Sequence, residues 1–252
     1  DKVTPVPSGF LGAFIIAMII GYFVKYLNKN INLPKNWLAF KSTFLIPLLS
    51  SLFCMFVMVF IITPVGGWIN LQIRALLEAA GAAGQFAYAL VLSATTAFDL
   101  GGPVNKAAGF VALGFTTEKV LPITARTIAI VTPSIGLGLS TLIDKKLVGR
   151  RVYNSEFYDA GKTSIFLAFM GISEGAIPFA LENPGFTIPL YVISSIIGAF
   201  SGIALGAVQW FPESAVWAWP LVKNLPAYML GIAVGSVIIA VCNVLYRNKL
   251  IK

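Results

Sequence analysis

Two short polar interruptions in an otherwise apolar chain carry the residues able to do chemistry. Phe98-Asp-Leu-Gly-Gly-Pro-Val-Asn-Lys106 sets an acid, an amide and a cation among three helix breakers, and Gly171-Ile-Ser-Glu-Gly-Ala-Ile-Pro178 repeats the pattern further on. An ionisable residue in hydrocarbon costs about 2.5 to 3.5 kcal/mol on insertion scales, so it is expected to line a cavity or a solute path. A carboxylate at Glu174 or Asp99 can accept hydroxyl hydrogen bonds, which suits a polyol or a sugar. Glu174 can also act as a general base where burial raises its pKa, or hold its loop through an ion pair. Asn105 adds an amide that both donates and accepts. Lys106 has three readings: pairing with Asp99, snorkelling to an interface, or meeting a phosphate. Gly101, Gly102 and Pro103 shape the backbone, and Gly175 and Pro178 open it next to Ser173 and Glu174. Asp99, Gly101, Gly102, Asn105, Ser173 and Glu174 are therefore the candidate solute-binding positions, with Glu174 the candidate catalytic one.

The elements that position these residues read as membrane helices. The chain has 252 residues, of which 58% are hydrophobic and 11% charged, whereas a soluble domain is about 25% charged. Apolar runs of spanning length fall at Gly9–Leu27, Thr43–Val65, Leu121–Ile143, Phe186–Phe211 and Pro226–Tyr246, each near the ~20 residues a helix needs to cross a bilayer. Two further stretches, Gly81–Phe115 and Thr163–Leu181, are interrupted by Gly and Pro. Gly67–Glu78 reads as a short interfacial helix.

Loop cations set a topology. Lys25, Lys29, Lys35 and Lys41 mark one cytoplasmic loop, Lys145, Lys146, Arg150, Arg151 and Lys162 a second, and Arg247, Lys249 and Lys252 a cytoplasmic C-terminus. With the flanking spans assigned, Thr163–Leu181 must enter and leave on one side, which predicts a re-entrant loop tipped at Gly171–Pro178. A hairpin tipped near Asp99–Asn105 satisfies the same parity in the first half. The expected architecture is all-α: a polytopic transmembrane helical protein with two re-entrant hairpin loops whose tips meet at the midplane.

Several chemistries are excluded or disfavoured. The chain contains no histidine, so phosphohistidine chemistry, Ser-His-Asp catalysis and His-ligated metal sites lie outside it. No metal or cofactor is expected. Cys54 and Cys242 sit in apolar runs and read as packing residues. Net charge is +8, but the cations lie between apolar runs, facing anionic lipid, and form no nucleic-acid face. Trp217 and Trp219 read as interface anchors. Val3–Ser8 reads as a linker, without a secretory pattern before it.

The two interruptions also carry a resemblance. Ala97-Phe-Asp-Leu-Gly-Gly-Pro-Val-Asn-Lys-Ala-Ala108 and Gly171-Ile-Ser-Glu-Gly-Ala-Ile-Pro-Phe-Ala180 resemble the signature stretches of the fructose-type enzyme IIC of the bacterial phosphoenolpyruvate-dependent phosphotransferase system. The resemblance implies a homodimeric, multi-pass sugar permease of the bacterial cytoplasmic membrane. Its bound sugar is phosphorylated by the phosphocysteine of an enzyme IIB domain, and the permease carries no phosphorylated residue of its own. It places Glu174 against sugar hydroxyls beside the phosphoryl acceptor, and Asp99 and Asn105 on polar positions of the first signature. It further implies that residues 1–252 form one permease domain, with additional helices ahead of Gly9 in the complete family domain. Read from the residues alone, an ion- or proton-coupled secondary transporter of a small polar solute fits the same two acids.

Overall fold

The computed structural model describes residues 9–117 and 119–250; within its helices the side chains at 9–11, 13, 14, 66, 69–71 and 73–82 lie outside the described set. The regular structure of the described residues is helical, apart from one isolated antiparallel bridge, Val208 to Lys223. Helices α1 (Gly9–Asn30), α2 (Leu38–Phe40), α3 (Ile46–Val57) and α4 (Thr63–Phe98) lead to α5 (Pro103–Thr117), α6 (Thr124–Val148) and α7 (Ser155–Phe169). They are followed by α8 (Ile177–Glu182), α9 (Pro184–Ala204) and α10 (Leu225–Leu250). The chain divides into two compact units, Asp1–Ala79 and Ala80–Lys252.

In the first unit, π-helical turns at Lys41–Leu45 and Met58–Ile62 interrupt an otherwise continuous helical run. Each ends two residues ahead of a proline, Pro47 or Pro64. A proline removes a donor and its ring collides with the preceding turn, so a local i→i+5 widening keeps the other carbonyls paired. Ile16, Val57 and Ile62 form the small core of this unit, with Cys54 packed against it.

The second unit is built on α6, α9 and α10, which pack against one another, with α7 against α6. Small residues let the backbones approach. A methyl group placed on Gly198 would lie 2.6 Å from the Gly231 carbonyl oxygen, and one placed on Gly231 would lie equally close to Gly198. Without a hydrophobic driving force between helices in lipid, such close contact supplies the association.

Among the described residues, four helical segments are long and apolar enough to cross a membrane: Lys35–Val65, Thr124–Val148, Pro184–Ala204 and Leu225–Leu250. They correspond to four of the expected spans, and the chain is an all-α polytopic membrane protein. The fifth expected span, Gly9–Leu27, is helical from Gly9 to Asn30. Two expectations change. Gly67–Glu78 is no separate helix but part of the 36-residue α4; the side-chain faces expected at 69–71 and 73–78 lie outside the described residues. The interruption expected across Gly81–Phe115 is confined to the turn between α4 and α5, because the helix tolerates Gly81 and Gly84 and ends only where Gly101, Gly102 and Pro103 follow one another.

Replacing Gly231 with Val should lower thermal stability in detergent by about 1–3 kcal/mol through overpacking. Gly185, with nothing within 4 Å of an added methyl, should accept Ala without loss, as read from paired unfolding curves.

Candidate functional site

The first tip is the turn between α4 and α5. Leu100 and Gly101 adopt positive φ, 48° and 95°, a reversal that glycine makes without penalty. The Asp99 carboxylate folds forward over the start of α5: Oδ2 accepts the Val104 N–H at 2.7 Å and Oδ1 the Asn105 N–H at 2.9 Å. These are the donors an N-cap side chain satisfies, and a negative charge there also opposes the helix dipole. Both oxygens of Asp99 are thus engaged.

Asn105 is buried and equally occupied. Its Nδ2 donates to the Thr96 carbonyl, while its Oδ1 and its own carbonyl accept from Arg126 at 3.0 and 2.9 Å. Arg126 projects from the first turn of α6 and also donates to Thr96 Oγ1 at 3.2 Å. Its guanidinium passes so close to α5 that a methyl on Gly109 would lie 2.8 Å from Nη2. One cation therefore ties the end of α4, the start of α5 and α6 together through neutral acceptors. Tyr191 of α9 adds a further tie, its hydroxyl donating to the Phe98 carbonyl at 2.9 Å. Hydrogen bonds to charged groups contribute about 1.5–3 kcal/mol, so Arg126 is a principal fastener of this tip.

The second tip joins α7 to α8 through Gly171, at φ 77°, and a 3₁₀ turn at Glu174–Ala176. It too is fastened to α6. The Ser134 hydroxyl donates to the Ser173 carbonyl at 2.9 Å, and the Ser164 hydroxyl of α7 donates to the Ser134 carbonyl at 2.9 Å. Ser134 follows Pro133, a proline inside α6, where a helix has backbone groups to share with neighbours. Gly175 lies against α7, 2.8 Å separating an added methyl from the Ser164 Cα. Ser173 is buried, while Glu174 at the tip is exposed.

The two tips meet. A methyl placed on Gly101 would lie 2.6 Å from the Glu174 Cδ, and one on Gly102 would lie 2.7 Å from the Asp99 Cγ. The missing side chains at Gly101 and Gly102 thus leave room for the Glu174 and Asp99 carboxylates, respectively, to lie against bare backbone. Among the described residues the Glu174 side chain makes no hydrogen bond or ion pair, so both its oxygens keep their capacity to accept from a ligand. The ion-pair reading of Glu174 is replaced accordingly. Lys106 is exposed and forms no ion pair with Asp99 among the described residues, because the Asp99 oxygens are committed to the α5 backbone.

The other side of the second tip meets the connection between α9 and α10. A methyl on Gly171 would lie 2.9 Å from the Ala215 nitrogen and 3.3 Å from Glu213 Oε1. Gln209, buried, holds that connection by donating to the Phe211 carbonyl at 2.9 Å and accepting from Thr127 of α6 at 2.8 Å. Trp219 differs from its expected role as an interface anchor: it is buried, with its indole N–H donating to the Ser214 carbonyl at 3.0 Å, whereas Trp217 remains exposed. Among the described residues no group of His, Cys, Asp and Glu is arranged to hold a metal ion.

Reading residue types in sequence brought out Asp99, Asn105 and Glu174 but missed Arg126, Ser134 and Tyr191. Arg126 had a signal, since it is a cation inside the apolar run Leu121–Ile143. Ser134 and Tyr191 had none, because hydroxyls are common in membrane helices.

The difference between the acids is measurable. Asp99→Ala should lower stability by about 0.5–2 kcal/mol, the usual cost of a lost cap. Glu174→Gln, with no bond to lose, should stay within about 0.5 kcal/mol of the parent chain. Thermal unfolding of both variants in one detergent makes the comparison.

Comparison with known proteins agrees with this architecture. The family described as Phosphotransferase system, EIIC matches residues 6–194. The chain is 60% identical over 244 residues to the fructose-like permease IIC component 1 of Escherichia coli strain K12, covering 97% of this chain and 59% of that protein. It is 33% identical over 219 residues to a protein of Rhodobacter capsulatus named PTS system fructose-specific EIIB'BC component, covering 85% of this chain and 37% of that one. A PTS system fructose-specific EIIC component of Haloferax volcanii is 30% identical over 236 residues, or 93% of this chain and 61% of that protein. The chain thus spans about three-fifths of the E. coli relative's length. No solved structure matches it. With three quarters of its length matched by that family, both tips included, the chain belongs to the EIIC family of the phosphotransferase system.

Proposed function

We propose that this chain is the sugar-binding and translocating part of a fructose-type phosphotransferase permease in the bacterial cytoplasmic membrane. The observation that carries the reading is the meeting of the two tips, where an unengaged Glu174 carboxylate lies against the Gly101 backbone. A carboxylate with free oxygens beside bare backbone can accept hydrogen bonds from adjacent hydroxyls of a fructose-like sugar, and an ionised acceptor makes those bonds stronger than neutral ones. Asp99 and Asn105 then act by holding the first tip in place rather than by touching the sugar. Ser173 acts through its backbone, and Gly101 and Gly102 by leaving room.

Both hairpins are read as re-entrant, the first entering from the end where α5 leads into α6 and the second from the cation-rich end that carries Lys145, Lys146, Arg150 and Arg151. Irregular backbone at membrane depth persists only where protein or a watered cavity surrounds it, and the bonds from Arg126, Tyr191 and Ser134 supply those surroundings. An enzyme IIB domain approaches from that end and transfers a phosphoryl group from its phosphocysteine to the bound sugar. The Rhodobacter relative, whose name joins EIIB and EIIC components in one protein, supports such a partner. A homodimer embedded in lipid is the assembly this reading takes. Phosphoryl transfer asks the permease mainly to orient the acceptor hydroxyl, with Glu174 placed to accept its hydrogen bond and draw its proton.

Glu174→Gln should reduce fructose binding and fructose phosphate formation by roughly tenfold to a hundredfold, the worth of a charge-assisted hydrogen bond, with the fold retained. The assay is uptake of labelled fructose into membrane vesicles supplied with phosphorylated enzyme IIB, separating free from phosphorylated product. Unchanged phosphorylation in the variant removes Glu174 from its role. Accumulation of free sugar driven by an ion gradient would instead identify a coupled secondary transporter.

A further inference from the structure

A cavity of about 320 Å³ lies between the α8–α9 junction and the C-terminal part of α10, away from the meeting point of the tips. Its polar lining is Glu182, Asn183, Thr187, Asn243, Tyr246 and Arg247. The volume is at the lower end of small-molecule sites, roughly 300–1,000 Å³, which suits a ligand of monosaccharide size.

The lining has unused capacity of a particular kind. Asn183 donates its amide to the Tyr246 hydroxyl at 2.9 Å, and Asn243 donates to the Tyr153 hydroxyl at 2.9 Å. Each orientation commits the amide nitrogen and leaves the carbonyl oxygen as an acceptor for a ligand hydroxyl. The Thr187 hydroxyl makes no hydrogen bond among the described residues and can serve in either sense.

Arg247 gives the cavity its charge. Its Nε donates to the Val152 carbonyl at 3.2 Å, and its guanidinium lies 4.1 Å over the Tyr153 ring and 5.1 Å over that of Phe157. These contacts fix the guanidinium without any help from Glu182, the carboxylate that pairs with it. Glu182 ends the six-residue α8 and is the more exposed partner, its side chain 35% accessible against 16% for Arg247. A planar guanidinium held in this way presents a carboxylate-shaped docking edge that a phosphate oxygen fits equally well.

The location supplies the third argument. The cavity lies at the cation-rich end of the second unit, where Arg150 bonds the Asn248 side chain and carbonyl and Lys145, Lys146, Arg151 and Lys249 are exposed. Glu182 lies eight positions beyond Glu174 along the 3₁₀ turn and α8, roughly 12 Å at 1.5 Å per residue.

We propose that this cavity binds a sugar monophosphate, its phosphate on Arg247 in place of Glu182 and its hydroxyls on Asn183, Asn243 and Thr187. It is a holding site for product between the tips and the cation-rich side. The assignment rests on the permease reading for the direction of transport, though binding itself does not depend on it.

The test is titration of the full-length protein in nanodiscs with fructose 1-phosphate, fructose 6-phosphate, fructose and inorganic phosphate, in the parent and in three variants. A sugar monophosphate should bind at least about tenfold more tightly than inorganic phosphate, because both ends of the ligand are recognised. Arg247→Gln should weaken it about tenfold or more, the loss expected of a charge-assisted bond, with fructose binding unchanged. Glu182→Gln keeps every fixed contact of Arg247 and removes the competing charge, so it should tighten sugar monophosphate severalfold. Glu174→Gln should leave it unaltered.

Sugar monophosphate binding that is absent, that follows Glu174 rather than Arg247, or that Glu182→Gln fails to tighten overturns the assignment. Should Arg247→Gln not fold, the Glu182 variant decides alone. Failure of the two readings is separable: a protein that phosphorylates fructose but binds no sugar phosphate overturns only the cavity. One that binds sugar phosphate through Arg247 but never yields phosphorylated fructose overturns only the permease reading.

Discussion

Helix α6 holds both breaks in the chain, and the site depends on those two fastenings. A helix that stops inside a packed protein leaves carbonyls and amides without their intrahelical partners, and each left unpaired on burial costs several kcal/mol. At the first tip Arg126 supplies donors to Asn105 and Thr96. At the second, Ser134 supplies one to the Ser173 carbonyl. Because both come from one helix, the separation of the tips is set by the spacing of two residues along α6 rather than by the hairpins themselves. The remaining bonds at the first tip, from Tyr191 and from the Asp99 cap, fix the local direction of the chain around those points.

That arrangement divides labour between two acids that look alike in sequence. Asp99 lies three residues before the N-cap position of α5, close enough for its short side chain to reach the first free N–H groups, and a carboxylate there gains from the helix dipole. Glu174 opens a 3₁₀ turn instead, with no side-chain bond to any described residue. Its stability at the tip therefore comes from its surroundings and not from pairing, which leaves its charge available to a ligand. The glycines facing each acid have a steric part: side chains at 101 and 102 would fill the space the carboxylates occupy.

The cation-rich end follows a different logic. Asp144 is buried and accepts the Val152 N–H at 2.9 Å and the Lys145 N–H at 2.6 Å, along with the Tyr158 hydroxyl. This fixes the α6–α7 loop, so that Val152 and Tyr153 can in turn fix Arg247. Burial pushes the Tyr153 hydroxyl well above its ordinary pKa, with the Ser140 hydrogen bond and the Arg247 charge acting in the opposite sense. The phenol is thus neutral across the physiological range and can accept from Asn243 while remaining bonded to Ser140. The positive charge of Arg247 thereby has a fixed geometry, set by Val152 and Tyr153, that charge count alone would not give.

The sequence by itself determined the class of the protein, four of its spanning segments, the location of both chain breaks and the two acids beside them. Hydropathy over twenty residues is a strong signal because the bilayer has a fixed thickness, and Gly-Gly-Pro ends a helix whatever surrounds it. Gly81 and Gly84 were overread for the opposite reason: a lone glycine costs a helix only about 1 kcal/mol, and α4 absorbs it. The tertiary structure alone decided that the tips touch, that Asp99 caps while Glu174 stays free, that Lys106 pairs with neither, and that Trp219 is buried. Each of these depends on which side chain reaches a given atom first. Such competition is settled by distances of a few tenths of an ångström between helices far apart in sequence, a scale to which residue type and spacing along the chain are blind.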